Sequence, residues 1–275
     1  MCGGRSGGQN RAIASLLRLL LPAVLVVALT ACHRPAAGPR PLVVGMELAY
    51  PPFEMTDAQG QPAGVSVDLA RALGVALGRP VEIRNIAFDG LIPSLQAGKI
   101  DCILSSMTVT PERARAVAFS EPYLHTGLAL LVAKDSPIAS VADLDQAGRR
   151  VAVKNGTTGQ LYARDHLTHA QILVFDSEAA AVLEVVQGKA DAFAYDQMSV
   201  FKQAQRHAET TRALLQPFQQ EAWAIALRQD DGALREQVNA FLRDYRAHGG
   251  FDALGERYLP EQKAAFAKLG IPFVF

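Results

Sequence analysis

The segment from Thr108 to Arg113 places a guanidinium beside the start of a predicted helix. Thr110, Pro111 and Glu112 are residue types that begin helices: an N-cap hydroxyl, a first-position proline and an acid. The helix dipole disfavours a cation at Arg113 unless an anion lies nearby. An arginine can bind a carboxylate through two parallel hydrogen bonds. Arg113 is therefore either a carboxylate-binding residue, assisted by backbone amides near Thr108, or a solvated side chain paired with an acid.

The segment from Lys154 to Gly159 is a second candidate for anion binding. It follows an apolar run that predicts a strand and precedes a helical pattern, so its backbone amides lie free at a helix start. The hydroxyls of Thr157 and Thr158 add hydrogen-bond donors. The segment is either part of a binding site or an ordinary strand-to-helix turn, and it lacks the spacing of a phosphate-binding loop.

Asp196 begins another helical run, where its local role is an N-cap. Its alternative role is that of a carboxylate facing an ammonium group. Glu47, Tyr50 and Phe88 follow predicted strands or lie in loops. The aromatic rings can enclose an aliphatic or amino-bearing side chain and Glu47 can meet a cation, although each residue type is also common in protein cores.

Motifs for catalysis are missing from the sequence, which has no G-x-S-x-G and no H-E-x-x-H pattern. His166 and His169 are one helical turn apart, a spacing more typical of an exposed polar helix than of a metal site. Cys102 lies in an apolar pentapeptide and is expected to be buried. We therefore expect no catalytic residues, no metal and no cofactor.

The elements that must position these side chains alternate between short apolar strands and helical patterns. This order predicts an α/β architecture with largely parallel sheets. The predicted strands are 42–44, 81–83 and 100–104, and the first predicted helices are 65–77 and 91–97.

A weak internal repeat predicts two lobes. In each copy a glycine, Gly98 or Gly188, ends a helix, and a short apolar strand then leads to polar residues, Ser105 and Ser106 in one copy and Asp196 in the other. Open α/β sheets bind ligands beyond the carboxyl ends of their strands, so a shared cleft is expected. Apolar runs at the two crossings divide the chain into lobe 1, residues 42–126 and 226–275, and lobe 2, residues 127–225.

The N-terminal residues 1–31 have the features of an export signal: arginines, an apolar run of about a dozen residues and small residues before Cys32. Leu29-Thr30-Ala31-Cys32 resembles the lipobox of bacterial lipoproteins, which implies acylation at Cys32. The alternative is an uncleaved anchor helix. Residues 32–41 are rich in proline and small residues and predict a tether. An aspartate directly after the lipidated cysteine is linked to inner-membrane retention. This chain has His33 at that position, and the difference favours the outer membrane.

The composition excludes a polyelectrolyte partner. The 275 residues include 27 basic and 27 acidic side chains, and 49% are hydrophobic. This balance predicts substantial cores and no nucleic-acid binding.

Several motifs in order resemble family 3 of the bacterial extracellular solute-binding proteins, the amino-acid receptors of ABC importers. The resemblance runs from about Leu42 to Tyr258. Its strongest pieces are AYPPFE at 49–54, GVSVDLA at 64–70, FDGLIPSL at 88–95, GKID at 98–101, MTVTPER at 107–113 and FSEPY at 119–123.

The resemblance implies a two-lobed periplasmic-binding fold of type II with two hinge crossovers. It implies a small amino acid or analogue as the ligand, an ABC permease in the inner membrane as the partner, and a monomer on the periplasmic side of the envelope, lipid-anchored to a membrane. In this resemblance, the α-carboxylate of the ligand binds Arg113 and the amides around Thr108 and Thr158. The α-ammonium binds Asp196, Ser106 and Thr108. Tyr50 and Phe88 form an aromatic pair around the ligand side chain, and Ser105 and Glu47 also face that side chain.

An enzyme on the same scaffold is the alternative. Cyclohexadienyl dehydratases resemble this family and act on arogenate-like substrates in the same cleft. Such an enzyme needs a general acid, for which Glu47 and Asp196 are candidates.

Overall fold

The computed structural model describes residues 38–272 and residue 275, and Pro41–Phe275 form one compact unit. The predicted export signal, Cys32 and most of the predicted tether lie outside the described residues. None of the helices within the described residues is long and apolar enough to cross a membrane.

Five strands of the described chain form a first sheet in the order β5-β1-β6-β13-β7. Strand β1 pairs in parallel with β5 and β6, and β13 runs antiparallel to β6 and β7. The strands are β1 (Leu42–Met46), β5 (Val81–Asn85), β6 (Cys102–Ile103), β7 (Ala118–Phe119) and β13 (Ala226–Leu227).

A second sheet, also of five strands within residues 38–272, has the order β10-β9-β11-β8-β12. Strand β9 pairs in parallel with β10 and β11, whereas β8 is antiparallel to β11 and β12. The strands are β8 (Leu124–Ala133), β9 (Arg150–Lys154), β10 (Gln171–Phe175), β11 (Ala192–Asp196) and β12 (Thr211–Trp223).

A small antiparallel sheet and a set of helices complete the described structure. The small sheet contains β2 (Ala49–Tyr50), β3 (Glu54–Thr56) and β4 (Pro62–Ala63). The helices are α1 (Val65–Ala76), α2 (Leu91–Gln96), α3 (Pro111–Ala114), α4 (Thr158–His166), α5 (Glu178–Val186), α6 (Gln197–Arg206), α7 (Gly232–Ala247), α8 (Gly250–Tyr258) and α9 (Pro260–Lys268). Short 3₁₀ turns lie at Phe88–Gly90 and Val141–Leu144.

The central strands are apolar because both faces of each sheet are covered. Every residue of β1 is buried, as expected for a parallel strand between two layers. The core against the first sheet includes residues of α1, α7, α8 and α9. Separate buried clusters line the second sheet. This layering supports an α/β fold and explains the near-continuous apolar runs in the sequence.

The chain passes from the first sheet to the second between β7 and β8 and returns between β12 and β13. Strands β8 and β12 pair along most of their length, from Leu124 opposite Trp223 to Ala133 opposite Thr211. A register shift between Leu214 and Gln219 interrupts this ribbon.

Most of the predicted elements are present, but the sheets are mixed instead of largely parallel. Each antiparallel pair in the two large sheets includes a strand beside a crossing: β8 pairs with β11 and β12, and β13 pairs with β6 and β7. The glycines of the internal repeat, Gly98 and Gly188, both have φ of 68° and end their helices as predicted. The observed strand β6 is shorter than the strand predicted at 100–104, because its pairing with neighbouring strands is confined to Cys102–Ile103.

Candidate functional site

A cleft lies where elements of the two large sheets meet, with about 410 Å³ of space between atoms that includes open solvent. It is lined by polar and aromatic side chains: Glu47, Tyr50, Glu54, Phe88, Ser105, Ser106, Thr108, Arg113, Thr157, Thr158, Tyr195, Asp196, Glu221 and Trp223. The ten ligand-contact residues predicted from the sequence are all among them.

The parallel strands deliver their carboxyl ends to this cleft. Glu47 directly follows β1, and Ser105 follows β6 in the same sheet. Thr157 lies just beyond β9, and Asp196 ends β11 in the second sheet. Because neighbouring parallel strands end at one edge, short strands from distant parts of the chain place their polar residues together.

Arg113 is buried and its guanidinium is held on both sides. Only 7% of the residue is exposed, so it is not a solvated surface arginine. Its Nη1 donates to the Thr108 carbonyl at 2.8 Å and its Nη2 to the Gly156 carbonyl at 2.9 Å. The guanidinium carbon lies 5.4 Å from the Phe88 ring centroid. Burial lowers the pKa of Arg113 and a nearby carboxylate, Glu221, opposes that shift.

The predicted start of α3 is present around this arginine. Thr110 caps the helix, its hydroxyl accepting from the Arg113 amide at 3.1 Å, and Pro111 takes the first helical position. The helix has four residues, so it serves mainly to fix the direction of the Arg113 side chain.

Glu221 lies among the hydroxyls predicted to bind an anion. Thr108 Oγ1 donates to Glu221 Oε2 at 3.1 Å, and the Thr158 hydroxyl also donates to this carboxyl group. Burial raises the pKa of Glu221, while these hydroxyls and Arg113 lower it. An acidic side chain on β12 thus contacts the same donors that the sequence assigned to a ligand carboxylate.

Asp196 has both of its predicted local features, a helix cap and a position in the cleft. Its Oδ1 accepts from the amides of Met198 and Ser199 at 2.9 and 3.1 Å, which caps α6. The phenol of Tyr50 donates to the same oxygen at 2.7 Å. Burial raises the pKa of Asp196 to about 7, although the hydrogen bonds from Tyr50 and Ser199 act in the opposite direction.

Glu54 is a buried carboxyl group behind the serine pair. Ser66 Oγ donates to Glu54 Oε2 at 2.6 Å and Ser106 Oγ donates to it at 3.2 Å. Burial raises the pKa of Glu54 to about 8, so this group is mostly protonated at neutral pH. Ser106 has φ of 48°, a left-handed conformation that is costly for a residue with a Cβ and is often found at functional sites.

Aromatic rings form one wall. Tyr50 stacks on Phe53 at a centroid distance of 5.3 Å and meets Trp223 edge-on at 6.1 Å. Tyr195 contacts Tyr50 edge-on at 6.1 Å. This packing leaves the Tyr50 phenol directed at Asp196.

Four lining residues were not predicted from the sequence: Glu54, Tyr195, Glu221 and Trp223. Glu54 ends the AYPPFE motif and Tyr195 precedes Asp196, so adjacency to known candidates was the available signal. Glu221 and Trp223 stand beside the second crossing between sheets, a position typical of a cleft. The structure places Cys102 in the core, as expected, with 0% exposure.

Within the described residues, no group of three or more His, Cys, Asp and Glu side chains is arranged to hold a metal ion. His166 stacks on Tyr162 with centroids 4.2 Å apart, and His169 pairs with Asp145 at 3.1 Å.

Together these features define a class of protein: a two-sheet α/β binding protein with a polar cleft between strand ends. The chain belongs to the bacterial extracellular solute-binding proteins, family 3, whose family model matches residues 42–261. This family is extracytoplasmic, and curated relatives are amino-acid-binding proteins of ABC transporters.

The chain is similar to ABC transporter arginine-binding protein 1 of Escherichia coli (strain K12), with 32% identity over 221 residues that cover 79% of this chain and 90% of the relative. It is similar in structure to the ancestral amino acid-binding protein AncCDT-1, a precursor of cyclohexadienyl dehydratase, with a TM-score of 0.73, 39% identity and coverage of 79% and 94%. A further similar structure is an ancestral arginine-binding protein bound to glutamine, with a TM-score of 0.75, 32% identity and coverage of 81% and 99%.

Proposed function

We propose that the protein is the extracytoplasmic substrate-binding lipoprotein of an ABC-type amino-acid importer. Its cleft holds the α-carboxylate and the α-ammonium of a small amino acid and closes around them. The observation that carries the proposal is that a buried guanidinium, Arg113, and a buried carboxyl group, Asp196, line the same cleft. A zwitterion supplies the opposite charge to each of these groups.

The remaining lining residues fit the two ends of an amino acid. The hydroxyls of Thr108 and Thr158 lie in the same cleft as Arg113 and donate to Glu221, so a ligand carboxylate at Arg113 would replace Glu221 as their acceptor. Ser106 can supply a further acceptor for the ammonium group beside Asp196. The rings of Tyr50 and Phe88, with Ser105 and Glu47, are left to contact the ligand side chain.

We propose two lobes, residues 42–126 with 226–275 and residues 127–225, joined by the two chain crossings. Contacts between their residues support a closed arrangement. Besides the Tyr50–Asp196 bond, Asn155 Nδ2 donates to Asp89 Oδ2 at 3.2 Å and Lys202 Nζ donates to the Pro51 carbonyl at 3.0 Å. Ligand shifts an open–closed equilibrium because only the closed state offers contacts from both lobes. Small-angle X-ray scattering should show a smaller radius of gyration with ligand than without it.

The binding site is tested with Arg113→Ala. A thermal-shift screen of the common amino acids first identifies the one that stabilises the wild type most, and calorimetry then measures its Kd. Loss of the guanidinium should weaken binding by about a hundredfold or more, because a charge-assisted bidentate partner is removed from a buried site. Arg115→Ala is the matched control, since Arg115 is exposed on the same short segment and should leave the Kd unchanged. Near-native affinity in Arg113→Ala contradicts the proposal.

The lipid anchor is a separate part of the proposal. Acylation of Cys32 would keep the protein on the periplasmic side of a membrane, the outer one by the reasoning from His33, within reach of the permease in the inner membrane. Cys32→Ala should move the protein into the soluble periplasmic fraction. If detergent is still required to extract the variant, the anchor is not a lipid on Cys32.

A dehydratase is the second candidate function, and one feature of the cleft favours it. Glu54 carries a proton at neutral pH, as a general acid must, and the chain is similar to a precursor of cyclohexadienyl dehydratase. The assay is incubation with prephenate or arogenate. Formation of phenylpyruvate or phenylalanine above the uncatalysed rate would establish the enzyme, and its absence at high protein concentration would leave the receptor.

A further inference from the structure

Glu47, which lines the cleft, is already paired with a cation of the protein. Its carboxylate contacts the ammonium group of Lys154 in an ion pair between the end of β1 and the end of β9. The side chains are 14% and 4% exposed, respectively. The Lys154 carbonyl accepts a 2.7 Å bond from Thr157 Oγ1, which fixes the backbone of β9 at this point. Glu47 is therefore the member of the pair that lines the cleft, and Lys154 is buried against it.

One carboxyl group near the pair, Glu54, adds little negative charge to it. Glu54, the nearby carboxyl group, is mostly protonated at neutral pH because burial raises its pKa to about 8. The Lys154 ammonium lies 5.7 Å from the Phe88 ring centroid, and the guanidinium of Arg113 lies 5.4 Å from the same ring. A ligand side chain that approaches Phe88 therefore meets a ring that already has two cations near it.

We propose that Lys154 determines ligand specificity: by pairing with Glu47 it selects α-amino acids with uncharged side chains and disfavours arginine, lysine and ornithine. This inference rests on the proposed function. It assigns to this chain a substrate class that differs from the arginine named for the relative in Escherichia coli.

The physical reason is the cost of an unpaired buried charge. A cationic ligand side chain gains little from Glu47 unless the carboxylate leaves Lys154, and the ammonium of Lys154 would then be buried without a partner. A ligand carboxylate at the same place would meet the negative charge of Glu47. An amide, hydroxyl or apolar side chain leaves the ion pair intact, so it avoids both penalties.

The test is calorimetry with two sets of free amino acids at neutral pH. The uncharged set is glutamine, asparagine, methionine and leucine, and the cationic set is arginine, lysine and ornithine. In the wild type, the best uncharged ligand should bind at least about tenfold more tightly than the best cationic one. Lys154→Met, which removes the charge and keeps most of the volume, should improve arginine binding by about tenfold or more. The double variant Glu47→Gln with Lys154→Met should lose that improvement.

Lys189→Met is the matched control, because Lys189 is exposed and lies outside the cleft. It should leave the Kd values of both sets unchanged. If Lys154→Met does not fold, Lys154→Gln and the wild-type measurements decide the question.

The outcomes separate the two proposals. Arginine or lysine as the tightest ligand of the wild type would overturn the specificity inference and leave the amino-acid receptor standing. An unchanged arginine Kd in Lys154→Met would also overturn it. Failure of every amino acid to bind the wild type would instead reject the proposed function.

Discussion

The phenol of Tyr50 donates a 2.7 Å hydrogen bond to Asp196 Oδ1, joining a strand of the small sheet to the end of a strand in the second sheet. Both residues are buried, with 6% and 7% exposure. Asp196 also caps α6 through the same oxygen. One carboxyl group therefore bonds to Tyr50, starts a helix and faces the space proposed for the ligand ammonium.

Replacing Tyr50 with Phe removes that phenol and keeps the ring packing against Phe53 and Trp223. We expect amino-acid binding to weaken about tenfold or more, because one hydrogen bond to a charged group contributes about 1.5–3 kcal/mol. In an Asp196→Asn background the same change should have a smaller effect, as a double-mutant cycle by calorimetry would show.

The control for this cycle is Tyr258→Phe. The Tyr258 hydroxyl also donates to an aspartate, Asp68 Oδ2, at 2.7 Å, but it lies outside the cleft. Equal losses of affinity in the two tyrosine variants would mean that the Tyr50–Asp196 bond has no special role in binding.

Ligand affinity should rise with pH around neutrality. Burial raises the pKa of Asp196 to about 7, and an ammonium group binds the ionised carboxylate, so below that pH the ligand must displace a proton. We expect the Kd to be about tenfold higher near pH 6 than near pH 8. Calorimetry across this range checks the slope, and Asp196→Asn should bind more weakly with a flatter profile. Affinity that is constant or falls with rising pH contradicts this assignment.

Glu54 should make the folded protein less stable as pH rises. Burial raises its pKa from 4.5 to about 8, so the native state keeps a proton that the unfolded chain releases between those values. Stability is then lost progressively from about pH 4.5 to pH 8 because ionisation is costly only in the folded state. The loss should be on the order of a few kcal/mol.

Glu54→Gln removes the part of the pH dependence of stability that comes from ionisation of Glu54. The Tm of the variant relative to the wild type should improve by several degrees between about pH 5 and pH 9 in thermal melts followed by circular dichroism. Glu256→Gln is the control, because Glu256 is exposed. The difference in Tm between this variant and the wild type should stay constant across the same pH range. A constant difference for Glu54→Gln as well would show that Glu54 titrates normally.

A methyl group at Gly159 should destabilise the fold. Gly159 lies in the first turn of α4, and an added Cβ would be 2.3 Å from the Ala194 carbonyl oxygen on β11. Since backbone cannot move aside cheaply, Gly159→Ala should lower the free energy of unfolding by about 1–3 kcal/mol. Urea denaturation measures the change in midpoint.

Gly232→Ala is the matched substitution at another helix start. A Cβ there has no atom within 4 Å, so the variant should be neutral or up to about 1 kcal/mol more stable. Equal midpoints for the two variants would mean that α4 shifts away from β11 without cost.

Local patterns were sufficient to predict the helix starts that carry the site. Thr110 with Pro111 predicts the cap and first residue of α3, and Asp196 before an amphipathic run predicts the cap of α6; both are confirmed. Gly98 and Gly188 likewise end their helices. These features depend on hydrogen bonds and backbone angles within a few residues, so one stretch of sequence contains the necessary information.

The charges in the cleft could not be predicted in the same way. Glu47 meets Lys154 across 107 positions, and Glu221 accepts from Thr108 across 113. The protonation of Glu54 depends on its burial, which raises its pKa, and on hydrogen bonds from Ser66 and Ser106, which lower it. Ion pairing and desolvation are set by which strands lie side by side and by how much water they exclude. Those quantities arise only when β1, β6, β9 and β12 have been brought together by the folded chain.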